Sequence, residues 1–230
     1  MKKIAIIPAR QGSKRIPKKN IRDFSGKPVI AYSIKVAIES GIFDKVLVST
    51  DSENIAEIAI KYGAEVPFFR SAENSRDEAT TLDAVKEVLE NCKNKLGEEF
   101  FYTCCIYATA PLIKPVHLQK GLQLMLKKSY SSVFPVIKYS HPVWRGFELI
   151  NNEKTKILWP EFSNMNSQQL KSTYHDAGQW YWLDMNKISN SIFTDNSGAV
   201  VLKQTEAHDI DDIEDWKIAE LKYNLQTQND

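Results

Sequence analysis

Short apolar runs alternate with amphipathic segments along the first two-thirds of the chain. Residues 4–7 are uniformly apolar, which is typical of a parallel strand that is covered on both faces. After Pro28 the apolar residues instead recur three and four positions apart, as in a helix, until Gly41 ends the pattern. The same alternation predicts further strands over residues 43–49, 65–69, 101–107 and 132–137, and further helices after Ser52, Thr80 and Pro115.

This alternation predicts an α/β fold. Strands that alternate with helices of this length are joined by right-handed crossovers, so the sheet should be mostly parallel. Ligands of such sheets bind beyond the carboxyl ends of the strands. The polar loop over residues 9–20 follows the first strand directly, and we therefore expect it at the ligand-binding edge.

The alternation fails at about Lys138. Residues 138–174 are irregular and carry Trp144 and Trp159 among prolines and asparagines. A loop of this length within a compact domain is usually functional or part of an interface. Strand patterns return over residues 178–185 and 199–202, and an amphipathic helix closes the chain. We therefore predict one domain over residues 1–230, with 138–175 as an irregular insertion that serves dimerisation.

Composition narrows the class of protein. The 230 residues are 43% hydrophobic and 26% charged, with a net charge of +1, which is ordinary for a globular protein and unlike a nucleic-acid-binding domain. The three cysteines form no C-x-x-C pair, and two of them lie within a strand pattern, so we interpret them as buried thiols in a reducing compartment. No apolar run is long enough for a signal peptide or a membrane span, and we expect a cytoplasmic protein with no membrane partner.

Five cations are concentrated in the loop over residues 9–19, around the small pair Gly12-Ser13. The spacing matches neither a P-loop nor a dinucleotide fingerprint. A charge run of this kind is commonly a solvated turn, but its place at the sheet edge favours a bound polyanion. A triphosphate would neutralise the repulsion, and each charge-assisted hydrogen bond would contribute roughly 1.5–3 kcal/mol. The five residues are Arg10, Lys14, Arg15, Lys18 and Lys19, of which the first, second and last are expected on phosphate.

Two aspartates flank Ile210 near the last helix. In an extended segment the carboxylates of Asp209 and Asp211 point to one face, roughly 6.6 Å apart. Magnesium is commonly held by one or two carboxylates together with phosphates and waters. The alternative is that Asp211 or Asp212 caps the last helix, which leaves Asp209 unexplained. No nucleophile elbow or zinc motif accompanies this pair, and His117, within a helical pattern, is predicted at the surface.

These motifs occur in a familiar order: IPARQGSKRIPKKNI at 7–21, VSTD at 48–51, Arg70, DEATT at 77–81 and DID at 209–211. Together they resemble the CMP-sialic acid synthetases, the acylneuraminate cytidylyltransferases. The resemblance implies a three-layer α/β/α, Rossmann-like domain of the nucleotide-diphospho-sugar transferase type, with a protruding dimerisation element. It also implies a homodimeric, Mg²⁺-dependent enzyme that transfers CMP from CTP to the anomeric hydroxyl of a nine-carbon 2-keto sugar acid and releases pyrophosphate.

The resemblance also assigns residues. Arg10, Lys19, Asp209 and Asp211 would be catalytic, and the two aspartates would hold the metal. The CTP-binding set would be Ala9, Arg10, Ser13, Lys14, Lys19, Asn20, Arg70, Ala79, Thr80 and Thr81. For the sugar our own hypothesis is Tyr107, Arg145, His175 and Gln179, with Arg145 or His175 on the sugar carboxylate. Strand alternation leaves open whether Gln179 and Tyr181 or instead Trp180 and Trp182 face the sugar.

Two segments indicate which sugar is used. HDAGQWYW at 175–182 looks most like the pseudaminic acid branch of the family, whereas the common sialic acid branch tends to have an Asn-Gly-Ala-type segment there. YATAP at 107–111 likewise departs from the Gln-Pro-Thr-Ser-Pro-type segment of that branch. Activity on N-acetylneuraminate, legionaminate or 3-deoxy-manno-octulosonate stays an alternative. A non-catalytic nucleotide- or nucleic-acid-binding module is a weaker one, because paired aspartates would repel a nucleic acid unless a metal intervened.

Overall fold

A computed structural model describes residues 1–227, so the last three residues of the predicted domain, 228–230, lie outside the described residues. The helices are α1 Val29–Glu39, α2 Glu53–Lys61, α3 Thr81–Asn91, α4 Pro115–Lys128 and α5 Ile213–Thr227. The strands are β1 Lys3–Pro8, β2 Asp23–Phe24, β3 Lys27–Pro28, β4 Lys45–Ser49, β5 Tyr102–Ile106, β6 Ser132–Lys138, β7 Phe147–Ile150, β8 Lys154–Ile157, β9 Tyr174–Asp176, β10 Trp180–Asp184 and β11 Ser197–Leu202.

The main sheet has seven strands in the order β11-β6-β10-β5-β1-β4, and β9 pairs with the remaining part of β6. Strands β4, β1 and β5 are mutually parallel, and β11 is parallel to β6. Only β10 and β9 run against their neighbours in this sheet. The mostly parallel sheet predicted from the alternation is therefore confirmed.

Helices cover both faces of the sheet. Along β1, Ala5 and Ile7 belong to the core that includes residues of α1, α2 and α4, whereas Ile4 and Ile6 pack on the α3 side. The strand β10 divides in the same way, with Trp180 on the first face. Because both faces of these strands are buried, the strands read as continuous apolar runs, and the protein has the three-layer α/β/α arrangement.

The chain leaves β1 toward β4 on one side, while β5 lies on the other side of β1. This reversal of strand order opens a crevice at the carboxyl ends of β1 and β5, where ligands of doubly wound sheets bind. Three loops meet there: the loop after β1, the segment that leads into α3, and the turn after β5. The cationic loop therefore occupies the predicted edge. None of the helices within residues 1–227 is long and apolar enough to cross a membrane.

Three local predictions differ from the structure. Residues 65–69 form only a single parallel bridge, from Glu65 to Leu47, because Pro67 cannot donate a ladder hydrogen bond. The surface position predicted for His117 is wrong. Its side chain is buried, with Nε2 3.8 Å from Glu206 Oε1, and burial lowers its pKa. Finally, the irregular stretch over 138–174 contains the β7–β8 hairpin, which the pattern did not predict.

Candidate active site

A cleft of about 500 Å³ lies at the carboxyl ends of β1 and β5. Its walls come from the cationic loop, from residues 70–84, from Tyr107 and from Asp211. Ala9 lies beneath this surface, fully buried, and its N–H donates to Ser49 O at 2.9 Å. The predicted nucleotide-binding residues that line the cleft are Arg10, Ser13, Lys14, Lys19, Asn20, Arg70, Ala79, Thr80 and Thr81.

Hydrogen bonds hold the cationic loop in place. The Asn20 side chain donates to Arg10 O at 2.9 Å, so the two ends of the loop are tied together. Asp51, the last residue of the VSTD motif, accepts the Gln11 N–H at 2.8 Å. The VSTD motif therefore has a physical role, because its Asp51 anchors the cationic loop to the end of β4.

Two carboxylates face four of the loop cations. Arg10 pairs with Asp77 at 2.8 Å, and Lys14 pairs with the second oxygen of the same carboxylate. On the other side of the cleft Asp211 accepts Arg15 at 2.9 Å, with Lys19 Nζ 3.9 Å away. Burial lowers the pKa of Lys19. The hydrogen bond between Lys14 and Asp77 raises the pKa of Lys14. Arg15, which is not among the three cations expected on phosphate, thus also lines the cleft.

The opposite wall is formed by Arg70 and the start of α3. The Arg70 guanidinium donates to Ser49 Oγ at 2.9 Å and to Ser49 O at 2.6 Å, which fixes it at the end of β4, and burial lowers its pKa. Thr80 caps α3 in a reciprocal capping box with Asp83, and α3 begins after Thr80 as predicted. Thr81 Oγ1 lies 3.1 Å from the Tyr107 hydroxyl.

Of the aspartates considered as caps of the last helix, Asp212 is the one that caps α5. Asp212 Oδ1 accepts the N–H groups of Glu214 and Asp215 at 2.8 and 3.0 Å, so Asp212 caps α5. The Asp211 carboxylate instead lines the cleft. Capping therefore does not account for Asp211.

Asp209 lies two positions before Asp211 and is not among the residues that line the cleft. Partial desolvation of its carboxyl raises the pKa of Asp209, and the nearby Asp211 charge adds to the effect. Gly178 packs against this carboxyl: a Cβ at Gly178 would lie 3.0 Å from Asp209 Cγ, and the Gly178 backbone has a φ of +63°. Within residues 1–227 no group of three or more His, Cys, Asp or Glu side chains is arranged to hold a metal ion.

The predicted sugar-binding residues are only partly brought together. Tyr107 lines the cleft. Gln179 is fully buried, its carbonyl accepts the Tyr107 N–H at 2.8 Å, and its side-chain amide donates to Glu206 O at 2.9 Å. Gln179 therefore connects Tyr107 to Glu206 within the core and does not line the cleft.

Arg145 and His175 are not part of the cleft walls. The Arg145 guanidinium donates to Met165 O within the 138–174 segment. The His175 ring lies on β9, with its centroid 4.9 Å from that of Tyr139.

Sequence reasoning did not single out two carboxylates of the site. Asp77 lies inside the DEATT motif and Asp176 inside the HDAGQ motif, so both were present in the segments that carried the resemblance. Asp176 accepts the Tyr181 hydroxyl at 2.5 Å and the Gly178 N–H at 3.2 Å. The Tyr181 ring in turn packs 5.3 Å from that of Tyr107, so Asp176 supports a cleft residue.

Comparisons with known proteins agree with this geometry. A family profile described as Cytidylyltransferase matches residues 4–210. The pseudaminic acid cytidylyltransferase of Campylobacter jejuni subsp. jejuni serotype O:23/36 (strain 81-176) is 37% identical, over 100% of this chain and 99% of that protein. The CMP-N,N'-diacetyllegionaminic acid synthase of Legionella pneumophila is 30% identical, over 99% of both chains.

Among solved structures, a CMP:2-keto-3-deoxy-manno-octonic acid synthetase complexed with CTP superposes with a TM-score of 0.69 at 16% identity, covering 99% of this chain and all of that one. At 16% identity this structural match shows only that the fold is similar, and it agrees with the three-layer architecture. The family profile and the full-length relatives are similar in sequence, which shows the family. They confirm the predicted resemblance: the chain belongs to the cytidylyltransferase family and is a CTP-dependent nucleotidyltransferase.

Proposed function

We propose that the protein is a pseudaminic acid cytidylyltransferase, which transfers CMP from CTP to the anomeric hydroxyl of this nine-carbon 2-keto sugar acid. The observation that carries the proposal is the convergence of the cationic loop and Asp211 on one cleft. The choice of sugar is supported by the full-length match to the Campylobacter jejuni enzyme.

In this proposal the cleft orients CTP by its charge. Arg10, Ser13, Lys14, Lys19 and Asn20 would bind the triphosphate, while Arg70 and residues 79–81 would surround the cytidine. The sugar hydroxyl oxygen bonds to the α-phosphorus and loses its proton to solvent. The bond between that phosphorus and the bridging oxygen breaks, and pyrophosphate leaves with the electron pair. Such a displacement depends on positioning and charge neutralisation, so the protein needs no covalent nucleophile.

The acidic pair fits a hydrated magnesium ion. Mg²⁺ keeps several waters and takes one or two carboxylates together with substrate phosphates, and Asp209 and Asp211 supply that number. In the structure the Asp211 carboxylate faces the cationic loop, with Arg15 at 2.9 Å and Lys19 Nζ at 3.9 Å, so an anionic ligand group would lie beside the phosphates. When bound, the ion would withdraw charge from the phosphate oxygens during the transfer.

The sugar site would be completed by a second protomer. The β7–β8 hairpin exposes Phe147 and Leu149 at 60% and 62% of their surfaces, which suits a homodimer interface. Arg145 lies beside this hairpin, so in a dimer it would reach the partner's cleft and bind the sugar carboxylate. His175 would also contact the sugar in the partner's cleft. Gln179 would support the sugar site indirectly, by holding the Tyr107 backbone. We place the enzyme in the cytoplasm, where the CTP pool is.

Product analysis tests the activity. The protein is incubated with CTP, Mg²⁺ and pseudaminic acid, and the mixture is followed by ³¹P NMR and mass spectrometry. We expect one CMP-sugar and one pyrophosphate for each CTP consumed, and no turnover when ATP replaces CTP or when the sugar is omitted. Retention on RNA with a steep salt dependence, and no CTP consumption with any sugar acid, would instead support the binding-module alternative.

A further inference from the structure

Asp77 is a carboxylate located among residues that bind anions. One oxygen pairs with Arg10 Nη1 at 2.8 Å, and the other pairs with Lys14. The side chains of Asp77 and Arg10 keep 42% and 35% of their surfaces exposed, so these pairs lie at the open side of the cleft. The hydrogen bond with Lys14 lowers the pKa of Asp77, so the Asp77 carboxylate is negatively charged at neutral pH.

Asp77 lies in a segment of turns between two fixed points. Residues 71–79 form turns without a helix or strand, between Arg70 and the start of α3. Arg70 is fixed by its two bonds to Ser49, and α3 begins with the capping box at Thr80. Between these points the Ser71 N–H and the Asn74 side chain donate to Glu87 of α3 at 2.7 and 2.6 Å, so a displacement of Asp77 would involve residues 75–79, which form no helix or strand.

A nucleotide would change the balance of charge around Asp77. In the structure Asp77 and Asp211 neutralise half of the charge of the four paired loop cations. A triphosphate bound by Arg10 and Lys14 would bring several negative charges to the same two side chains. Asp77 would then compete with the phosphates for donors and repel them at short range.

We propose that Asp77 is a built-in counter-anion of the phosphate site, which CTP displaces on binding and which weakens the hold of the loop on pyrophosphate. This inference rests on the proposed function. Its consequence is a specific role in affinity: Asp77 keeps the cations separated and paired when the cleft holds no nucleotide, and it re-enters the site as pyrophosphate leaves. Asp77 is therefore a residue that limits affinity, in contrast to the cations beside it.

The alternative is that Asp77 orients Arg10 and Lys14 for phosphate and remains in place. The two possibilities predict opposite signs for one substitution. If Asp77 competes with phosphate, Asp77→Asn should bind inorganic pyrophosphate and CTP more tightly, by about 3- to 10-fold, since two exposed ion pairs no longer have to be broken. If Asp77 orients the cations, the same variant should bind more weakly.

The test is calorimetric titration of the full chain with inorganic pyrophosphate, with CTP and with cytidine. Glu78→Gln is the matched control, because it removes the same charge from the neighbouring residue, which acts on Lys14 only at longer range, whereas Asp77 pairs with Lys14 directly. We expect tighter pyrophosphate and CTP binding in Asp77→Asn and in Asp77→Ser, unchanged cytidine binding, and less than a 2-fold change in Glu78→Gln. Asp77→Glu should bind as the wild type does.

A second measurement guards against a folding defect. In thermal melts Asp77→Asn should show a lower Tm without ligand, because Arg10 and Lys14 repel one another, and a larger increase in Tm with pyrophosphate. Equal or weaker pyrophosphate binding by both Asp77 variants, with cytidine binding intact, would overturn the inference and leave the proposed function standing. A wild-type protein that binds neither CTP nor pyrophosphate would contradict the proposed function itself, and the inference with it.

Discussion

Replacing Gly178 by alanine tests whether the position of Asp209 matters for the reaction. The Gly178 φ of +63° is in the left-handed region, where an alanine costs about 1–2 kcal/mol. For a chain of this length that corresponds to a decrease in Tm of about 2–8 °C. The added Cβ would also lie 3.0 Å from Asp209 Cγ, closer than the ~3.5–4.0 Å of an ordinary carbon contact, so the carboxyl must move by about half an ångström.

The activity should fall with that displacement. Since a misplacement of about 1 Å costs on the order of 100-fold in rate, we expect Gly178→Ala to lose about 10-fold in kcat/KM for CTP and to need more Mg²⁺ for half-maximal rate. Gly41→Ala is the matched control: its φ is +66°, and a Cβ there would meet no other heavy atom of the described chain within 4 Å.

Both variants should lose similar stability, and only Gly178→Ala should lose turnover. The assays are thermal melts and initial rates of pyrophosphate release across a series of Mg²⁺ concentrations. If Gly178→Ala were to melt lower yet keep wild-type kcat/KM and Mg²⁺ dependence, the assignment of Asp209 to the metal would be refuted.

Three further predictions concern single side chains. Asp211→Asn should lose at least about 100-fold in metal-dependent turnover while its circular dichroism and Tm stay near wild type, because Asp212 and not Asp211 caps α5; unchanged turnover would reduce Asp211 to a surface residue. Lys19→Ala should raise the KM for CTP about 10-fold or more without lowering Tm, since burial already disfavours its charge in the absence of nucleotide; initial rates and melts check this, and a normal KM would contradict it. Burial lowers the pKa of His117 below its ordinary 6.5, so the unfolded chain takes up this proton first and stability decreases as pH falls below about 6.5; the decrease in Tm between pH 7.5 and 5.5 should be smaller in His117→Gln, and an identical decrease would contradict the assignment.

The sequence predicted those features that depend on local order along the chain. Residues 4–7 read as a doubly buried strand because both of its faces meet helices, and the loop that follows reaches the ligand edge by topology alone. The capping box at Thr80 is equally local, since its two partners are three residues apart. Fold class and the cationic half of the site could therefore be predicted from pattern.

Features that depend on distant partners could not be predicted in this way. The pattern for residues 178–185 does not say that β10 runs antiparallel between β5 and β6, and that placement buries Gln179 behind Tyr107. Likewise, the proximity of His117 to Glu206, 89 positions along the chain, could not be predicted, although His117 shares the buried stripe of α4 with Leu118. The pairing of Asp77 with the cationic loop is of the same kind.

The central claim is that this cleft transfers CMP to pseudaminic acid in preference to other sugar acids. The most direct measurement is kcat/KM for pyrophosphate release from CTP and Mg²⁺ with pseudaminic acid, N-acetylneuraminate, legionaminate and 3-deoxy-manno-octulosonate in parallel. We predict that pseudaminic acid is used at least about 100-fold better than each of the others. Efficient turnover of N-acetylneuraminate with none of pseudaminic acid would contradict the account.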